Sequence, residues 1–68
     1  MNQLEVTAFP EVVEVMKYRK HATLKDIAEH IGKSATYTRQ VIEGHQNGPA
    51  AQEDKKKIAK FLGIILAS

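Results

Sequence analysis

The stretch from Ser34 to Gln40, SATYTRQ, gathers hydroxyls, a phenol, a guanidinium and a carboxamide within seven residues. These groups donate and accept hydrogen bonds, so their chemistry is reversible recognition of a polar surface. Covalent chemistry has weaker support. Glu29, His30 and Ser34 supply the residue types of nucleophilic catalysis, but short exposed helices offer no enclosed pocket to shift a pKa or exclude water, so no enzyme activity is expected. His21, His30 and His45 match no metal-ligand spacing, and the chain has no Cys. Neither a metal nor a cofactor is expected.

The recognition groups need a scaffold, and Leu24 to Val41, LKDIAEHIGKSATYTRQV, reads as two short amphipathic helices joined at Gly32. Ile27, Ala28 and Ile31 lie three and four apart and share one inward face. Ala28 is small enough to let a second helix cross close to the first. Gly32 can adopt the left-handed conformation that ends a helix and reverses the chain. Thr23 is placed as the cap of the first helix, with Asp26 completing a weak capping box, and Ser34 caps the second by accepting from the amide of Thr36 or Tyr37. Thr38 and Val41 then face inward. Ala35, Thr36, Tyr37, Arg39 and Gln40 lie around the N-terminal end and outer side.

From about Val12 to Ile64 the chain resembles the Cro and repressor DNA-binding domains of phages, the lambda-repressor-like helix-turn-helix family. Leu24 to Val41 carries most of the likeness, IEGHQNGP resembles the loop after that family's recognition helix, and KKKIAKFLGI resembles its next helix. The resemblance implies an all-α, four-helix domain, with a fifth-helix stub at most, that lays the helix 34–43 in the major groove. It implies base contacts from Ala35, Thr36, Arg39 and Gln40. Gln can bond adenine bidentately, Thr can touch a thymine methyl, and Arg can read guanine or bind phosphate. Phosphate contacts would come from Thr23, Lys25, Lys33, Ser34, Tyr37, His45, Gln46 and Asn47. Tyr37 also fits a partial core position. The implied setting is the cytoplasm of a bacterial host, on operator DNA.

The chain departs from the family pattern at four places. Leu24 stands where a phosphate-contacting Gln is frequent. Thr38 replaces a core Val or Ile, and its buried hydroxyl costs about 1–3 kcal/mol unless it bonds back to the Ser34 carbonyl. Ile42 replaces a frequent Glu, and the sequence stops at Ser68, which leaves IILAS where the family has a fifth helix.

At 68 residues the chain is expected to form one domain, residues 10–68 with the motif at 23–44, preceded by an N-terminal arm over 1–9. A core of this size supplies only ~3–5 kcal/mol of net stability. The absence of Cys fits a reducing compartment. FLGIILA is far short of the ~20 apolar residues that span a bilayer, so no membrane association is expected. The net charge of +2 permits a nucleic-acid partner without requiring one. Lys17, Arg19, Lys20 and Lys25 cluster near the motif, whereas Lys55, Lys56, Lys57 and Lys60 read as a solvated helix face.

Pro10 and Glu11 suit the first turn of a helix running to about Lys20, with Val12, Val13 and Met16 as its apolar stripe and Tyr18 or Arg19 at the edge. Gly44 ends the second motif helix. HQNGPA reads as a loop, and a last helix is expected from about Ala51 to Leu62 with Ala51, Ile58, Phe61 and Leu62 inward. A single domain buries only ~600–1,000 Å² on DNA, so a homodimer on a palindromic site is expected, with Ile64, Ile65 and Leu66 as its interface. The alternative is a helix-turn-helix scaffold serving as a protein-binding module, such as an antirepressor or a repressor partner.

Overall fold

Four helices and no strand account for the regular structure of residues 9–65, the part of the chain that the computed structural model describes: α1 (Phe9–Lys20), α2 (Leu24–Ile31), α3 (Ala35–Glu43) and α4 (Pro49–Leu62). The boundaries fall where the sequence supplies capping groups. Thr23 Oγ1 accepts from the Asp26 amide at 3.1 Å while Asp26 Oδ2 accepts from the Thr23 amide at 3.0 Å, a complete capping box. Gly32 closes α2 at φ 72°, and its position lets the Lys33 amide donate to the Ala28 carbonyl at 3.0 Å. Ser34 Oγ then accepts from the Tyr37 amide at 3.1 Å and opens α3. Gly44 closes that helix in the same left-handed geometry.

Two boundaries differ from the sequence reading. α1 begins at Phe9, so the arm assigned to 1–9 loses its last residue, and residues 1–8 lie outside the described part. Phe9 packs against the core, and the Lys55 ammonium lies 5.0 Å from the centre of its ring. α4 begins at Pro49, two residues before the expected Ala51, because Gly48 serves as N-cap and Pro is tolerated in the first turn, where its missing N–H has no partner to lose.

Val13, Ile27, Ile31, Val41, Ile42, Ala51, Ile58 and Leu62 form the core, drawn from all four helices. Val13, Ile27, Ile58 and Leu62 are fully buried, and each such side chain contributes roughly 1.5–3 kcal/mol of transfer free energy. α3 and α4 each pack against every other helix, whereas consecutive α1 and α2 make no close backbone approach to each other. α3 is therefore held by all three of the other helices. On α1 Val13 is buried and Val12 and Met16 are half-buried, the expected stripe, whereas the edge candidates Tyr18, 85% exposed, and Arg19 stay outside it.

After α4, Gly63 ends the helix and the Ile64 amide donates to the Ala59 carbonyl at 2.8 Å. Ile64 packs against the core and Ile65 is exposed, neither in a helix, so the stub has no helical character up to Ile65. Leu66, the third member of the expected interface, lies outside the described residues. Among the described residues, no helix is long and apolar enough to cross a membrane.

Candidate nucleic-acid interface

The caps that open α2 and α3 also leave polar atoms at the surface. Thr23 and Ser34 are exposed, and each hydroxyl oxygen accepts a backbone amide. The hydroxyl hydrogens stay available to an acceptor such as a phosphate oxygen. Lys25, in the first turn of α2, is exposed as well.

α3 separates its faces cleanly. Thr38, Val41 and Ile42 are buried, while Ala35, Thr36 and Arg39 are exposed and Gln40 is half-buried. The Thr38 hydroxyl donates to the Ser34 carbonyl at 2.7 Å, the back-bond that a buried Thr requires here. Thr36 and Gln40, four apart, lie on one line of the helix, with Gln40 half-buried. Arg39 points to the side, where it lines a recess with Pro10, Glu14, Lys17, Leu24, Ile42 and Glu43. It forms no ion pair among the described residues.

The loop after α3 is closed by its own side chains. Gln46 Nε2 donates to Gln40 Oε1 at 3.1 Å, and Asn47 Nδ2 donates to the Gly44 carbonyl at 2.8 Å. These two carboxamides stay exposed with one further N–H each. The His45 amide is engaged with the Gln40 carbonyl at 2.8 Å, so His45 offers its imidazole rather than its backbone. That ring is 3.9 Å from Glu43 Oε1.

Two expected phosphate ligands stand elsewhere in the network. Lys33 Nζ lies 2.8 Å and the Tyr37 hydroxyl 2.9 Å from the same oxygen, Oδ2 of Asp54, to which both donate. The carboxylate sits on α4 and is only 3% exposed. The Lys33 ammonium also lies 5.0 Å from the centre of the Tyr37 ring, and Lys57 Nζ is 4.0 Å from Asp54 Oδ1. The hydrogen bond from Lys33, reinforced by that from Tyr37 and opposed by burial, holds the Asp54 carboxyl below the ordinary carboxylate range. The hydrogen bonds to the same carboxylate raise the pKa of both Lys33 and Tyr37, holding the lysine charged and the phenol neutral to higher pH than usual. Tyr37 thus takes the partial-core role of its two sequence readings, half-buried against the core with its hydroxyl turned to a carboxylate.

Asp54 escaped the sequence reading because it precedes the Lys55–Lys57 run and was absorbed into a charged surface. Its register was the available signal. Asp54 lies three after Ala51 and four before Ile58, on the inward stripe of α4, where a lone carboxylate demands a cationic partner.

His30 is exposed and stacks on Phe61 with ring centres 4.4 Å apart, and no cluster of His, Cys, Asp or Glu able to hold a metal occurs among the described residues. Comparison with protein-family models, curated proteins and solved structures found no match for the chain.

Proposed function

We propose that this chain is a sequence-specific DNA-binding regulator of transcription, a small helix-turn-helix protein of the phage Cro and repressor type, acting by operator occupancy through α3. The observation that carries the reading is the division of α3: one face locked into the core by Thr38, Val41 and Ile42, the other presenting Thr36, Arg39 and Gln40. The left-handed Gly32 and the Ser34 cap connect that helix to α2 by a short turn, which supports the reading. Lys25 and the hydroxyls of Thr23 and Ser34 would meet phosphate on either side, fixing register while the α3 side chains read bases. Two copies on a palindromic site would double the contact area, with the exposed Ile65 at their junction.

Fluorescence anisotropy of duplex DNA, random against selected genomic sequence, tests this across a salt series. Binding that weakens steeply with salt and prefers one sequence is expected. Arg39→Ala should weaken binding and alter base preference; no change in either would remove α3 from its assigned role.

A protein-binding module on the same scaffold is the second reading, favoured by Val15 and Tyr18, exposed one turn apart on α1. A folded chain that binds no duplex at low salt would support it.

A further inference from the structure

Lys33 lies in the turn between α2 and α3, and Tyr37 in the first turn of α3, where an incoming phosphate would seek donors. Both are already joined to one oxygen of a carboxylate that is nearly sealed from water. We infer that Asp54 is an internal counter-anion that holds Lys33 and Tyr37 in the place a DNA phosphate would otherwise take, so neither residue contributes to backbone binding.

The inference rests on the DNA-binding reading and deepens it. A phosphate that drew Lys33 away would leave a buried carboxylate without its main partner, and removing one member of a buried pair is strongly unfavourable. Lys33 keeps 41% of its side chain exposed, so the ammonium is within sight of solvent yet not free to leave. Lys57, at 4.0 Å from the other carboxylate oxygen and 59% exposed, is the more releasable cation. The consequence is a lower sequence-independent affinity. Backbone contacts add binding to every sequence alike, so withholding one leaves a larger share of affinity to Thr36, Arg39 and Gln40.

The test is the slope of log K against log salt concentration for the full chain on duplex DNA, where each phosphate contact contributes about 0.9. Lys33→Met should leave the slope of the wild-type protein unchanged, whereas Lys25→Ala should reduce it by about 0.9, or roughly 3.5-fold in relative affinity between 50 and 200 mM salt. Asp54→Asn should steepen the slope by about 0.9, because Lys33 is released to the phosphates. A shallower slope in Lys33→Met, with wild-type binding intact, overturns the inference and leaves the DNA-binding reading standing. Absence of any DNA binding by the folded wild-type chain overturns both. Should either substitution unfold the chain, the carboxyl carbon resonance of Asp54 in the wild-type protein decides. It keeps its position on adding DNA if the counter-anion holds, and a shift to that of an unpaired carboxylate refutes it.

Discussion

Thr38 is fully buried, yet it carries a hydroxyl into a core of aliphatic side chains. Replacing it by Val, Ser and Ala separates the hydroxyl from the methyl. Thr38→Val removes the bond from Oγ1 to the Ser34 carbonyl, worth about 0.5–1.5 kcal/mol net. It leaves no orphan, because the same carbonyl still accepts the Thr38 amide at 3.0 Å. The new methyl returns about 0.8 kcal/mol, and Val and Thr have near-equal helix propensity. The two terms nearly cancel, so Thr38→Val should lie within about 0.5 kcal/mol of wild type. Thr38→Ser keeps the bond and loses the methyl, costing about 1 kcal/mol, and Thr38→Ala loses both, costing about 2 kcal/mol. In a domain of this size 1 kcal/mol moves Tm by about 4–8 °C, so urea and thermal unfolding followed by circular dichroism resolve the series. A Val variant destabilised by more than about 1.5 kcal/mol would show that the hydroxyl does more than satisfy itself. One stabilised by that amount would show that the 2.7 Å bond fails to offset the hydroxyl's desolvation.

Acid titration probes the α3–α4 clamp. Asp54 binds its proton less tightly folded than unfolded, so its contribution is full above about pH 4 and is lost as pH falls through its depressed folded value. Lys33 shifts the other way, with its contribution full below about pH 10.4 and lost as pH rises through its raised folded value. Between these limits neither group should make the urea midpoint vary with pH, and the acid limb should flatten in Asp54→Asn; an unaltered limb would detach Asp54 from acid stability. Gly32→Ala should cost about 1–2 kcal/mol from the left-handed backbone alone, since a Cβ there meets nothing within 4 Å, and a neutral effect on Tm would contradict the strain. Ile65→Asp should leave a folded monomer with weaker operator binding. An unchanged sedimentation profile in that variant would place any interface elsewhere.

Local chemistry made the α2–α3 unit legible. Thr23, Gly32, Ser34 and Gly44 each act through a hydrogen bond or a backbone conformation within a few residues, so their residue types suffice to locate them. The inward positions of Ile27, Ala28 and Ile31 follow from helical spacing alone. Long-range pairing was not legible in the same way. Asp54 meets Lys33 across twenty-one positions, and nothing near either residue announces the other. Lys55 over Phe9 and His30 on Phe61 are likewise products of tertiary approach. Pro49 misled for a different reason, because a residue that breaks a helix from within can begin one.

The packing order of the helices also governs when the fold can close. α1 finds no partner in α2, and the fully buried Ile58 and Leu62 come from α4, the last of the helices among the described residues. A nascent chain that has emerged only through α3 holds the hydrophobic halves of three helices with no lid over them. Helices this short are marginal by themselves. Docking of α4 on all three predecessors should therefore be the step that completes the core. Fragments released before Ala51 should meet proteases as unfolded chains rather than persist as partial binders of DNA.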